Sequence, residues 1–276
     1  MNKKDKKNKL DAKILCYLIF MGATIVSFFY APIIGLVLLS IGIIILLFIN
    51  RANLFMLVGL KQYNKKNISK ALKLLKTAHM STAGKMNNSY NYAYILLREG
   101  RIDDAKTAIK YALLRPNVSD AETYQGKEIL SMIYYRQGQY NKATDAMQSV
   151  FEHYKNSNVY GALGYYKILA KAPDAEEFAL EAYDYNKTDK VILDNLVQLY
   201  YEKGDYETAK KYSDEAIKAE HTGIETYYHA GLVLKALNNK AEAIDNFKKA
   251  LSFTPSFLTT VTTDEIERQI MLCENE

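Results

Sequence analysis

Small residues recur along most of this chain at intervals close to 34. Ala71, Ala105, Ala143, Ala175, Ala209 and Ala243 are separated by 34, 38, 32, 34 and 34 positions. A second series, Gly59, Ala93, Ser131, Gly164, Val197 and Gly231, keeps step with the first. So does a third, Ala78, Ala112, Val150, Ala182, Ala216 and Ala250. Turn signals precede four members of the first series: Gly100-Arg101-Ile102, Gly138-Gln139-Tyr140, Gly204-Asp205-Tyr206 and Asn238-Asn239-Lys240. A turn of the type Gly-x-Tyr-x-x-Ala joins two antiparallel helices. Small residues sit where two helices cross closely, and large ones such as Tyr134, Tyr200, Leu234 and Phe247 fill the space between hairpins. No single hairpin can bury its apolar face, so stacking supplies the core. An array of this kind is a surface for binding rather than a reaction centre.

Two stretches carry the pattern most fully: Leu196…Tyr200…Gly204…Tyr206…Ala209…Ala216 and Tyr227…Gly231…Ala243…Phe247…Ala250…Pro255. They resemble the tetratricopeptide repeat (TPR), a helix-turn-helix unit of about 34 residues. The resemblance covers residues 52–256 as about six units. The consensus Trp is absent, with Phe55, Ser89, Lys127, Tyr160, Leu193 and Tyr227 near its place. The closing Pro is kept at Pro255, and Pro116 lies near its place. The third unit starts late, and Ser119-Asp120-Ala121-Glu122 reads as a capping box for a lengthened first helix. The fourth, with Ala172-Pro173-Asp174 in its turn, is shortened. After the array, residues 257–276 hold a second capping-box start at Thr262…Glu265. The capping helix that follows places Ile266, Ile270 and Cys273 on one face.

The N-terminal end has a different character. Residues 1–13 form a basic arm with six lysines, and no charged residue occurs from Ile14 to Asn50. Such a run reads as membrane-embedded. A single helix of about 36 residues would span roughly 54 Å against a hydrocarbon core of about 30 Å. Ala31-Pro32 stands at the midpoint, where proline breaks a helix. The run therefore reads as two transmembrane helices, 14–30 and 33–49, with Phe28, Phe29 and Tyr30 at the far interface. A cleaved signal peptide, a lipid-modified Cys16 and one tilted span with a re-entrant piece are the competing readings. The first lacks an Ala-x-Ala site, and the second lacks a small residue before the cysteine.

Charge is divided along the chain. Residues 1–98 carry 15 Lys/Arg against 2 Asp/Glu, and residues 99–276 carry 21 against 29, giving +13 and −8. Arg51, Lys61, Lys65, Lys66, Lys70, Lys73, Lys76, Lys85 and Arg98 follow the apolar run, with no acid before Glu99. Both basic flanks prefer the cytoplasm, and two spans satisfy both at once. The expected location is the cell membrane, multi-pass with two spans, and with N- and C-termini cytoplasmic. The lysines either fix topology alone or also contact anionic membrane lipids.

No catalytic motif stands out, and no cofactor, metal, small-molecule substrate or nucleic acid is expected as a partner. His221 and His229, eight apart, match no common metal spacing, and two cysteines make no disulfide framework. The resemblance implies that the first helices of the units line a concave groove for a protein or peptide partner. The groove positions are Tyr63, Tyr90, Tyr94, Arg98, Gln125, Glu128, Tyr135, Arg136, Tyr165, Asp194, Gln198, Tyr201, Tyr228 and Lys235. These tyrosines either bind the partner or pack between repeats. The positions of a chaperone-tail clamp carry Met56, Leu60 and Tyr90, so no such clamp is expected.

The fold class that follows is all-α: an N-terminal transmembrane helical hairpin, a TPR α-solenoid and a C-terminal capping helix. The chain resembles membrane-anchored TPR proteins of bacterial type. The function implied is a membrane-anchored scaffold or adaptor. The alternatives are a membrane-associated chaperone or assembly factor, and a non-catalytic subunit of a membrane enzyme complex.

Overall fold

The computed structural model describes residues 3–81, 86–219 and 223–275, with side chains from Leu15 onward. Among the described residues there are fifteen α-helices and no strand. The chain divides into two units, Met1–Asn88 and Ser89–Glu276.

The first unit contains α1 (Lys3–Tyr30), α2 (Pro32–Ile49), α3 (Arg51–Asn64) and α4 (Ile68–Met80). Helix α1 begins at Lys3, so helical backbone runs through the residues that the sequence sets apart as an arm. The break falls at Ala31, and Pro32 opens α2, where its missing N–H costs nothing. Gly35 and Gly42, one heptad apart on α2, face Phe28 and Phe20 of α1; a Cβ at either would stand 2.9 Å from a ring carbon. The hydroxyls of Thr24, Ser27 and Ser40 donate to carbonyls four residues back, at 2.8, 2.7 and 2.9 Å. Those polar groups are satisfied within their own helices. Among the described helices, α2 is long and apolar enough to cross a membrane, whereas the apolar part of α1, Leu15–Tyr30, is shorter. Only Asn50 separates α2 from α3.

The second unit takes in α5 (Met86–Arg98) from Ser89 onward, α6 (Ile102–Leu113), α7 (Asp120–Arg136), α8 (Tyr140–Phe151), α9 (Ser157–Leu169) and α10 (Ala175–Tyr185). It continues with α11 (Lys190–Glu202), α12 (Tyr206–Lys218), α13 (Ile224–Ala236), α14 (Lys240–Leu251) and α15 (Thr263–Asn275). The pairs α3–α4, α5–α6, α7–α8, α9–α10, α11–α12 and α13–α14 are six hairpins closed by the same turn. One residue in each turn is left-handed: Lys66 (φ 63°), Gly100 (73°), Gly138 (68°), Lys171 (52°), Gly204 (77°) and Asn238 (62°). The next residue donates its N–H to the carbonyl five positions back, as in Asp205 to Tyr200 at 2.9 Å and Ala172 to Lys167 at 2.9 Å. Both features define the Schellman ending of a helix.

Neighbouring hairpins are tied by bonds that repeat near the period. The Asn195 side-chain amide donates to the Gly161 carbonyl at 2.8 Å, 34 residues away. Gln137 reaches Asp103 at 2.9 Å across the same separation. Apolar contact fills the rest: Phe151, Tyr160 and Phe178 meet with ring centroids 4.9 to 5.7 Å apart. The Ser119 cap on α7 is a complete capping box, as the sequence pattern predicts. The Thr262 cap on α15 is half of one. Thr262 accepts from the Glu265 N–H at 3.1 Å, but the Glu265 carboxylate turns instead to Arg268, Gln269 and Tyr228. Ile266 and Cys273 of α15 bury against Leu234, Phe247 and Ala250. Lys235 donates to Gln269, 34 residues on, at 3.2 Å. Helix α15 thus stands where the first helix of a further unit would.

Candidate partner-binding groove

The second unit contains a cleft of about 780 Å³. Its wall draws on the first helix of five successive hairpins: Tyr94 from α5, Glu128, Met132 and Tyr135 from α7, Tyr165 and Tyr166 from α9, Asp194 from α11 and Glu225 from α13. The 34-residue repeat explains this convergence, since stacked hairpins present equivalent faces of their first helices to one side. The remaining side is the chain between α14 and α15, which contributes Phe253, Thr254, Ser256, Leu258 and Thr259.

Tyr135 is the hub. Only 6 % exposed, it lies 5.5 Å from the rings of Tyr165 and Tyr166. Its hydroxyl donates to the Leu258 backbone carbonyl at 3.0 Å. Tyr94 meets Phe257 edge to face, at 5.3 Å and 85°. Burial raises the hydroxyls of Tyr165 and Tyr166 above the ordinary phenol range, and it raises the Glu128 carboxyl above the ordinary carboxylate range. Asp194 is bonded to His229 Nδ1 at 2.9 Å. Burial by itself would depress the His229 imidazole, but the carboxylates of Asp194, Glu225 and Glu202 together more than offset this, and the net shift is upward. The cleft is therefore an aromatic and apolar surface with a few hydrogen-bonding groups, suited to burying a peptide side chain while pairing its backbone.

Of the fourteen positions read from the sequence, Tyr94, Glu128, Tyr135, Tyr165 and Asp194 come together here. The others are placed differently. Tyr63 lies on α3 in the first unit. Tyr90 is buried, with its hydroxyl donating to the Glu122 carbonyl and burial raising its pKa to about 12, so it packs rather than lines. Tyr228 and Lys235 are engaged by Glu265 and Gln269 of α15. Gln198 bonds Glu202 at 2.8 Å, and Tyr201 packs on Tyr206 at 5.6 Å. Arg98, Gln125 and Arg136 are not among the cleft residues. His221 and the arm's side chains lie outside the described residues, as does Lys85. Among the described residues no cluster of three His, Cys, Asp or Glu side chains could hold a metal. Sequence reasoning missed Met132, Tyr166 and the whole 253–259 segment. Tyr166 follows a groove residue and could have been found from its helical phase, whereas the segment carries no periodic signal.

Tetratricopeptide repeat family models match residues 129–157, 192–220 and 224–257, over the third, fifth and sixth hairpins. A TPR repeat-containing protein of Methanocaldococcus jannaschii is 27% identical over 184 residues, 61% of this chain and 30% of that protein. The chain thus spans less than a third of that relative's length. A tetratricopeptide repeat protein from Parabacteroides merdae superposes with a TM-score of 0.68 at 16% identity, over 82% of this chain and 85% of its own. PilF of Pseudomonas aeruginosa superposes at 0.57 and 17% identity, over 80% and 97%. At these identities the solved structures show the fold alone. The chain contains tetratricopeptide repeats in an all-α, TPR-like solenoid, a fold that serves in general as a non-catalytic scaffold for protein–protein interaction.

Proposed function

We propose that this chain is a membrane-anchored scaffold that binds a protein or peptide partner in the cleft of its second unit, on the cytoplasmic side. The observation that carries the reading is the convergence of five first helices on one aromatic cleft. A surface of that composition gains most of its affinity from a few buried anchors. Support for the anchor comes from the first unit. Leu18, Phe29 and Ile33 are 60 %, 81 % and 79 % exposed, and the large apolar residues between Leu15 and Ile49 are exposed almost throughout. A patch of this extent needs a covering phase, and a bilayer supplies one. Two spans would keep both basic flanks on one side, with Arg51, Lys73 and Lys76 near anionic headgroups.

Photo-crosslinking in native membranes tests the groove. A crosslinkable residue at Tyr94 should capture a discrete partner, and one at the exposed Lys248 of α14 should not. Equal capture at both would sink the groove reading. Protease added to intact cells should leave the second unit uncut, and cleavage there would reverse the orientation.

A further inference from the structure

Helices α14 and α15 pack directly on each other through Phe247, Ala250, Ile266 and Cys273. Three residues suffice to join α13 to α14, and connections of about 2–8 residues are usual between packed helices. The chain from Ser252 to Thr262 nevertheless uses eleven. The extra length runs into the cleft. Phe253 stacks on Tyr227 at 5.6 Å, Phe257 reaches Tyr94 on the second hairpin, and the Leu258 carbonyl accepts from Tyr135 on the third. Ser256 and Thr259 close the tip into a turn: the Thr259 N–H donates to the Ser256 carbonyl at 3.1 Å, and the Ser256 N–H to the Thr259 hydroxyl at 3.1 Å. No charged residue occurs between Lys249 and Asp264, in a half of the chain otherwise rich in charge. Joining two helices requires none of this. Covering Tyr94 and Tyr135 with a side-chain pair and a backbone carbonyl does.

We propose that this loop, which forms the remaining side of the cleft, stands in the place of a partner's segment against Tyr94 and Tyr135. The partner is then a short uncharged peptide of the same chemistry, an aromatic residue beside an aliphatic one with hydroxyl residues flanking them, and it must displace the loop to bind. The proposal rests on the reading of the cleft as a partner-binding groove and adds what that groove selects. A groove whose open form is a minor fraction binds its partner more weakly by that fraction, so the loop sets a threshold for the partner's concentration. Because the loop is tethered at both ends, its effective concentration at the groove is on the order of millimolar.

The test uses the full chain in lipid nanodiscs and a fluorescein-labelled peptide with the sequence of residues 252–263, read by anisotropy. The hosts are the natural chain and a Phe257→Ala/Leu258→Ala variant. The variant should bind the peptide at least tenfold more tightly, and adding Tyr94→Ala should weaken that binding. Equal affinity for both hosts, or binding to neither, overturns the proposal, provided circular dichroism shows helix content intact. A Leu258→Ala host repeats the comparison with a milder change, and the same two outcomes decide it. A Tyr94 crosslink to a partner in membranes that persists when the peptide binds neither host overturns the loop's role alone. Absence of that crosslink overturns the groove reading and this proposal together.

Discussion

The hydroxyl of Tyr135 donates to the backbone carbonyl of Leu258 across 123 residues of sequence, at 3.0 Å. The same hydroxyl lies 3.5 Å from that of Tyr165, a side chain, whereas the bond to Leu258 fixes the loop's backbone. Removing it should leave the array intact, because Tyr135 keeps its ring contacts with Tyr165 and Tyr166. A Tyr135→Phe variant is expected to lose about 0.5–1.5 kcal/mol of loop docking, the usual net value of one such bond. Hydrogen exchange should quicken roughly three- to tenfold at the Leu258 and Thr259 amides, with the cooperative unfolding midpoint almost unchanged. Identical exchange in the two proteins would mean that the bond does not hold the loop.

Glu265 anchors the far end of that connection. Its carboxylate accepts from Arg268 at 2.8 and 2.9 Å and from Gln269 at 2.9 Å, with Tyr228 at 3.2 Å. These donors, Arg268 foremost, pull its pKa down to about 2. A carboxyl depressed on folding contributes stability that is complete above its unfolded value, near 4.5, and that disappears as pH falls toward 2. The natural chain should therefore lose more stability over that interval than a Glu265→Gln variant, with the loss appearing first as exchange in α15. Superposable acid limbs for the two proteins would remove Glu265 from the account.

The residues that announced the hairpins did so through backbone chemistry. Gly100, Gly138, Gly204 and Asn238 are residue types that accept a left-handed conformation readily, and each proved to sit at the left-handed position of its turn. Ser119 and Glu122 announced a cap for the same reason, since both partners lie within one turn of helix. Lys66 and Lys171 occupy the same left-handed position and gave no signal, because lysine has no preference for it and is held there by the backbone bonds of the turn, Asn67 to Gln62 and Ala172 to Lys167. The groove was legible only as a helical phase. Tyr90 and Tyr94 share a helix face, yet one is buried against the Glu122 carbonyl and the other opens onto Phe257. An amphipathic side chain fits both settings, so phase could not separate them. The occupant of the cleft was illegible altogether. A Ser/Thr/Phe/Leu connector has no period, and its contacts with Tyr94 and Tyr135 lie more than a hundred residues away.

Lys171 offers a direct measurement of turn strain. Its φ of 52° is left-handed, and its side chain is exposed. A non-glycine residue there costs on the order of 1 kcal/mol, partly offset because glycine adds freedom to the unfolded chain. Lys171→Gly should stabilise the second unit by about 0.5–1 kcal/mol in urea unfolding, and Gly204→Ala should destabilise it by a similar amount. A Lys171→Gly chain no more stable than its parent would show that the fourth turn is relaxed by its surroundings.

The small-residue series that defines the period has its tightest member at Gly231. A Cβ there would stand 2.5, 2.6 and 2.8 Å from three atoms of the Phe247 ring, and Phe247 has no exposed surface into which to retreat. Gly59 in the first unit stands in the same relation to Leu75, at 2.8 Å, so close crossing recurs at this position of the hairpin. Valine at 231 would add branched volume without the gain in helix propensity that alanine brings. Gly231→Val should cost about 1–3 kcal/mol through overpacking, and combining it with Phe247→Leu should cost less than the two single changes summed. The expected coupling is about 0.5–3 kcal/mol, measured as a double-mutant cycle in urea. Strict additivity would mean that α13 and α14 can separate freely. The period would then record something other than how closely these helices must cross.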